Sequence, residues 1–121
     1  MVRTRTQVRS LVNQYIRNLE AQGVRVQTVV LFGSYARLKA HTGSDIDLAV
    51  VAPQFAHLNI RERYETLGLA NMELRAPIQA IGYAPRQWRD AEQGSFIDEI
   101  QRTGKIIYHN GKKQKLARAS S

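Results

Sequence analysis

The chain has 121 residues, a length that suits one compact domain, and 43% of them are hydrophobic, as in ordinary globular proteins. It contains no cysteine, which excludes disulfides and thiolate zinc sites, and its three histidines lack the paired spacing of a metal centre. The net charge of +8 favours an acidic partner, such as a nucleotide, a nucleic acid or an acidic protein.

No segment approaches the ~20 consecutive apolar residues that cross a bilayer. No apolar run of signal-peptide length follows the basic N-terminus. We therefore expect no membrane contact and a cytoplasmic protein.

The spacing of apolar residues predicts alternating helices and strands. In chain order these are a helix at about 6–22, a buried strand at 24–32, a short helix at 34–39, a strand at 45–51, a helix at 60–74, a strand at 78–81, a brief helix at 86–91, a helix at 95–103 and a strand at 105–108. This order predicts an α/β (α+β) domain with a small mixed central sheet flanked by helices.

The predicted domain covers residues 1–109, and residues 110–121 form a separate basic segment. From Lys105 onward the chain has five basic residues and no acidic one. Because residues 110–121 contain little apolar surface to pack, we expect a disordered tail, which is either a solvated extension or an arm for nucleic acid.

One segment combines features that suit phosphate chemistry. The apolar strand runs into Gly33 and Ser34, where free backbone amides at the start of a helix favour a phosphate. Gly33 would let the phosphate approach the backbone, and the Ser34 hydroxyl could donate a further hydrogen bond. Arg37 is a candidate phosphate contact, with a surface salt bridge as the alternative.

Two carboxylates follow on the next predicted strand. The i, i+2 spacing of Asp45 and Asp47 places both on one face, where they repel each other. A divalent cation would remove this repulsion, and Mg²⁺ prefers such hard oxygen ligands and can bridge to nucleotide phosphates. A phosphate cradle beside metal-binding carboxylates is what phosphoryl or nucleotidyl transfer requires.

The spacing of these motifs resembles the nucleotidyltransferase superfamily that includes DNA polymerase beta. Its signature is Gly-Ser, roughly ten residues, then Asp-x-Asp, and here ten residues separate Ser34 from Asp45. Over most of its length the chain is similar to the minimal nucleotidyltransferases, from Gly-Ser-Tyr-Ala-Arg to the ending around Ser95–Tyr108.

The resemblance implies a fold, a reaction and a partner. It implies the polymerase-beta-like nucleotidyltransferase fold, with Gly33 and Ser34 at the phosphates of ATP or another nucleoside triphosphate and Asp45 and Asp47 holding magnesium. The implied reaction moves a nucleoside monophosphate, most simply AMP from ATP, to a hydroxyl acceptor. It also implies an antitoxin whose partner is a HEPN-type ribonuclease toxin; a homodimer is the other way to complete so small a site.

The chain departs from this family at two positions. Leu38 stands where the family often has glycine after the arginine, and Gln79 stands where a third carboxylate is common. An uncharged third position would weaken catalysis.

Three alternatives stay open. The first is a binding module of the same fold that neutralises its partner by contact, with weak or no catalysis. The second is a haloacid-dehalogenase-type phosphatase, which also uses Asp-x-Asp, although Ala49 departs from that motif and the chain is short for that fold. The third is a simple nucleic-acid binder, suggested by charge alone.

Overall fold

The computed structural model describes residues 2–109 and 112–118. Over these ranges the chain forms four α-helices, five β-strands and one 3₁₀-helix. In chain order they are α1 (Arg5–Ala21), β1 (Thr28–Phe32), β2 (Ile46–Val51), the 3₁₀-helix (Pro53–His57), α2 (Ile60–Asn71), β3 (Ile78–Tyr83), α3 (Pro85–Arg89), α4 (Phe96–Thr103), β4 (Lys105–His109) and β5 (Lys112–Arg118).

The strands form one mixed sheet in the order β3-β2-β1-β4-β5. β1 pairs antiparallel with both β2 and β4, whereas β2 and β3 run parallel because α2 carries the chain back across the sheet. The predicted fold class, a small mixed sheet flanked by helices, is confirmed. Among the described residues, no helix combines the length and apolar character needed to cross a bilayer.

Alternation along the strands divides the core between the two faces of the sheet. On one face, Leu31 and Leu48 pack among the buried side chains of α1 and α2. On the other face, Val30 and Ala49 pack against Ile100 of α4. The sheet is therefore covered on both sides, and its functional residues must lie at its ends or edges.

The short helix expected at 34–39 is absent, and Gly33–Leu38 forms a series of turns instead. The Arg37 amide donates to the Gly33 carbonyl at 3.1 Å, which makes a single helical turn, and the Lys39 amide donates to the Ser34 carbonyl at 2.9 Å. That second bond is the closing 6→1 bond of a Schellman motif, which requires a left-handed residue at Leu38. Leu38 has a φ of 59° and therefore stops the helix after one turn.

The interior face expected for α2 is only partly buried. Leu67 and Ala70 are buried, but Ile60 and Tyr64 remain 71% and 54% exposed. Ile60 and Tyr64 therefore fit the apolar spacing of a buried helix face but are not part of the core. The helix also ends at Asn71 rather than at residue 74.

The backbone of Lys112–Arg118 follows a strand that pairs antiparallel with β4, which differs from the disordered tail expected there. An unpaired strand edge offers a row of amide and carbonyl groups to any extended segment. Residues 110, 111 and 119–121 lie outside the described residues, and a domain limit at residue 109 stays a prediction.

The left-handed backbone at Leu38 yields a stability prediction. Non-glycine residues in this region cost roughly 1–2 kcal/mol, and the exposed Leu38 side chain returns little packing energy. Part of the gain from glycine is offset by its larger entropy loss on folding. Leu38→Gly should therefore stabilise the protein by about 0.5–1 kcal/mol, measured by urea unfolding.

Lys39→Gly is the matched control, because this neighbouring residue is also exposed but has no left-handed backbone. It should lose stability through the same entropy effect. Equal destabilisation by both substitutions would show that Leu38 stores no strain.

Candidate active site

The candidate site lies at the end of the sheet where β1 ends and β2 begins. The antiparallel register pairs Phe32 with Asp47, so Gly33 lies beside Asp47. Gly33 has a φ of 72°, and a Cβ at this position would overlap Oδ2 of Asp47 and approach its Cγ to 3.1 Å. Only glycine lets this backbone and this carboxylate lie so close together.

Asp45 and Asp47 lie at the beginning of β2 and differ in burial. Asp45 precedes the strand and is exposed, whereas Asp47 is half-buried within it. Between and after them, Ile46 and Leu48 point to the opposite face and are fully buried. Burial raises the pKa of Asp47 above its usual value, and the negative charge of Asp45 raises it further. The expected repulsion between the two carboxylates is therefore present.

This pair fits a magnesium ion by its donor chemistry. Within residues 2–109 and 112–118, no group of three or more histidine, cysteine, aspartate or glutamate side chains could hold a metal. Mg²⁺ usually needs only one or two protein carboxylates, because waters and substrate phosphates complete its six ligands. Two repelling carboxylates with hard oxygen donors meet that need.

The strand β3 brings Gln79 to the same side of the sheet as Asp47. The parallel register pairs these two residues directly, and paired residues in neighbouring strands share a face. Gln79 is exposed on β3. The register therefore places a neutral amide where the resemblance implies a third carboxylate; a catalytic role for it stays a prediction.

The turn after Gly33 presents backbone donors. Within the part of the chain that the structure describes, the amides of Ser34, Tyr35 and Ala36 donate to no protein acceptor. Ala36 is buried, and the Tyr35 hydroxyl accepts a hydrogen bond from the Arg3 amide at 3.3 Å. The turn is thus anchored on both sides. Because it is one turn long, its attraction for a phosphate rests on these amides rather than on a helix macrodipole.

Arg37 follows this turn and is exposed. It forms no salt bridge among the described residues, so the surface ion pair considered as an alternative is not seen there. It lines a surface depression of about 440 Å³ together with Arg102 and Lys105. Sequence reasoning missed those two cations, because nothing in the sequence links the end of α4 to the turn after β1.

The loop before Asp45 is held by its own side chains. The buried Ser44 accepts a hydrogen bond at Oγ from the His41 amide at 2.8 Å, and the Gly43 amide donates to Nδ1 of His41 at 3.3 Å. These contacts are internal to the loop. His41 and Ser44 therefore fix the conformation of the loop that leads to Asp45.

The family model for polymerase beta nucleotidyltransferases matches residues 13–113 of the chain. No curated protein sequence gives a significant match. Among solved structures, a protein from Sulfolobus solfataricus assigned as a nucleotidyltransferase has a TM-score of 0.66 at 17% identity. The match covers 93% of this chain and 89% of that one.

Two toxin-antitoxin structures are also similar. One contains AMP-PNP and matches with a TM-score of 0.53 and 25% identity, over 80% of this chain and 72% of that one. The other is MntA-HpeT carrying two aspartate-to-glutamate substitutions, with a TM-score of 0.56 and 24% identity over the same shares of the two chains.

The close approach of Gly33 and Asp47 predicts that Gly33→Ala destabilises the protein. The left-handed backbone alone should cost about 1–2 kcal/mol, and displacement of the carboxylate should add to this. In a double-mutant cycle measured by urea unfolding, Asp47→Ala should recover part of the loss, because it removes the overlapping atoms.

Gly43→Ala is the control for this cycle. Its added Cβ would meet only the His41 ring, no closer than 3.8 Å, and its φ is not in the left-handed region. It should change stability by less than about 0.5 kcal/mol and show no coupling to Asp47. Additive losses for Gly33→Ala and Asp47→Ala would contradict the packing described here.

Proposed function

We propose that this chain, which belongs to the polymerase beta nucleotidyltransferase family, transfers AMP from ATP to a hydroxyl acceptor in a magnesium-dependent reaction. The observation that carries the proposal is the contact of Gly33 with the Asp47 carboxylate. Because Gly33 lies against the Asp47 carboxylate and begins the turn with the free amides, the contact supports a site in which a phosphate group meets both.

Each element of the site has a separate task in this proposal. The amides and hydroxyl at Gly33 and Ser34 orient the phosphates, and Arg37 offers a further positive charge. Asp45 and Asp47 would hold magnesium, which when bound supplies charge neutralisation at the transferred phosphate and the leaving pyrophosphate. The half-buried position of Asp47 keeps water away from one side of the pair and so strengthens its attraction for a cation.

One similarity supports both the nucleotide and the partner. A similar toxin-antitoxin structure contains AMP-PNP, an ATP analogue, which supports an adenine nucleotide as the donor. The same similarity supports an antitoxin role, with a HEPN-type ribonuclease toxin carrying the acceptor hydroxyl. Such a pair would act in the cytoplasm, where a ribonuclease meets cellular RNA.

Neutralisation by contact is the second candidate function. The observation that favours it is Gln79, which shares a sheet face with Asp47 but cannot take up a proton from an acceptor hydroxyl as a carboxylate can. In this case the chain would bind its partner tightly while transferring AMP slowly or not at all.

The metal assignment is tested with Asp47→Asn. Calorimetry should show ATP binding that depends on magnesium in the native protein and is lost in the variant. Since removal of one charge of a repelling pair leaves the fold intact, circular dichroism should be unchanged. Unaltered ATP affinity in the variant would contradict the metal assignment.

The same variant should also change the way in which the stability of the metal-free protein depends on pH. Because folding raises the pKa of Asp47, the folded chain holds this proton more tightly, and stability falls as pH rises through that pKa. Asp47→Asn should therefore gain stability relative to the native protein at pH 7 but not at pH 3.

Asp98→Asn is the control, because its effect on stability should change with pH in the opposite direction. A hydrogen bond from the Gly94 amide, and after it Arg102, lowers the pKa of Asp98, so its stabilisation is present at neutral pH and lost in acid. Its replacement should cost stability at pH 7 and little at pH 3.

Gln79→Asp separates the two candidate functions. If this position serves the acceptor, a carboxylate should raise the rate of AMP transfer, and general-base assistance is typically worth about 10²- to 10⁴-fold. The measurement is transfer of labelled AMP at saturating ATP, with Gln79→Ala as the control for loss of the amide. A fast native enzyme whose rate does not respond to either substitution would show that the site is not weakened at Gln79.

A further inference from the structure

A row of three side chains crosses the sheet at the candidate site. The antiparallel register pairs Phe32 of β1 with Asp47 of β2, and the parallel register pairs Asp47 with Gln79 of β3. Paired residues in neighbouring strands share a face, and in an antiparallel pair their Cβ atoms lie about 4.5–5.5 Å apart. The Asp47 carboxylate therefore has an aromatic ring on one side and an amide on the other.

A second aromatic ring, that of Phe96, contacts Phe32. Phe96 is the first residue of α4, and its ring centroid lies 5.9 Å from that of Phe32, with the two ring planes at 85°. In such an edge-to-face pair, one ring directs its edge at the face of the other. Phe32 therefore covers at most one face of the Phe96 ring, and 51% of Phe96 is exposed. An aromatic surface is thus open to solvent beside β1, the strand next to Asp47.

Hydrogen bonds fix the start of α4 on both sides of Phe96. The Asp98 amide donates to Oγ of Ser95 at 3.2 Å, and the Gly94 amide donates to Oδ2 of Asp98 at 2.8 Å. Phe32 itself packs against the core on this face of the sheet. Because both rings are held in place before a ligand binds, the entropy cost of stacking on them is small.

The surroundings of Phe96 fit one flat ring better than a protein surface. Within residues 84–109, all of which the structure describes, Phe96 is the only large hydrophobic residue that is exposed. Residues near it in the sequence, Glu92, Gln93 and Glu99, are exposed and polar. A protein interface needs an apolar centre made of several residues, whereas a nucleobase needs the face of one ring.

We propose that Phe96, supported by Phe32, is the platform on which the base of the nucleotide stacks. The inference rests on the proposed function, because it needs phosphates at the turn after Gly33. β1 continues from Phe32 directly into that turn, so a nucleotide anchored there by its phosphates has its base on the side of the two rings. The acceptor hydroxyl then approaches from the opposite side of Asp47, where Gln79 lies.

A platform of this kind raises affinity for the nucleoside without selecting adenine. Every nucleobase has a π-face, so stacking on an aromatic side chain tolerates different bases. Phe96 also carries no hydrogen-bonding group that could distinguish the edge of one base from another. The ring should therefore contribute to the binding of ATP and of GTP alike.

The test compares ATP and GTP with inorganic tripolyphosphate, which has the phosphates but no base. Calorimetry with magnesium measures the three affinities for the native protein and for Phe96→Ala. The substitution should weaken the binding of ATP and GTP about tenfold, as expected for the loss of one stacked base, and leave the affinity for tripolyphosphate unchanged.

Phe96→Trp gives a second measurement that changes in the opposite direction. It should bind ATP more tightly than the native protein, because indole has a larger π-face than the phenyl ring. ATP should also quench the fluorescence of the new tryptophan by stacking on it, and tripolyphosphate should not. The native protein, whose only tryptophan is Trp88, gives the background signal.

Leu69→Ala is the matched control. Leu69 is 57% exposed, close to the exposure of Phe96, but it lies on α2, which packs on the opposite face of the sheet from Phe32. The substitution removes exposed apolar surface away from the platform, so the affinities for all three ligands should equal those of the native protein. Urea unfolding checks that each variant is folded.

The outcomes separate this inference from the proposed function. Unchanged ATP affinity in Phe96→Ala would overturn the platform, as would equal losses for ATP and tripolyphosphate, because the ring would then only maintain the shape of the site. Both results leave magnesium-dependent phosphate binding by the native protein in place. A native protein that binds neither ATP nor tripolyphosphate with magnesium would contradict the proposed function and this inference together.

Discussion

The arrangement of the site depends on one contact, that of the Gly33 backbone with the Asp47 carboxylate. The β1–β2 register places the two residues together, and the absence of a side chain on Gly33 makes room for the carboxylate. The free amides of Ser34 and Tyr35 then follow within one turn. The amides of the turn and the Asp47 carboxylate are therefore held relative to each other by the backbone hydrogen bonds of the sheet, which fix positions more precisely than flexible side chains do.

The turn after Gly33 also separates charges of opposite sign. On one side lie Asp45 and Asp47; burial, and after it the negative charge of Asp45, raises the pKa of Asp47. On the other side lies the depression that contains Arg37, Arg102 and Lys105. Such cations would attract a ligand with several phosphates, and such carboxylates would attract a divalent ion. The left-handed backbone at Leu38 maintains this compact geometry at an energetic cost, which is typical of functional turns.

Gln79 is the position at which the proposed chemistry departs from the family pattern. The parallel pairing of β2 and β3 places its amide on the face of Asp47 at the edge of the sheet. A neutral side chain can orient a hydroxyl but cannot neutralise a developing positive charge. Weak chemistry with strong binding would suit an antitoxin, for which contact with its partner matters more than turnover. The exposed apolar residues Ile60 and Tyr64 lie on α2, next to this edge.

The sequence by itself determined the parts of the site that depend on local order. The apolar runs at β1 and β2 predicted buried strands, because this periodicity comes from the backbone itself, and the i, i+2 spacing predicted Asp45 and Asp47 on one face. The fold class followed from the alternation of such patterns. The local pattern gave wrong predictions where contacts with the rest of the fold decide the outcome. It placed Tyr64 on the interior face of α2, although this side chain is exposed, and it predicted a short helix at 34–39.

Only the tertiary structure decided which distant residues meet. The strand register set Gly33 against Asp47 and Gln79 beside Asp47, and the packing of α4 brought Arg102 to Arg37. Pairing across a sheet depends on register, and a shift by one residue would move each side chain to the other face. The free energy of the whole folded chain, and not any local segment, decides which of these contacts form. The sequence therefore supplied the chemical groups of the site, and the sheet brought them together.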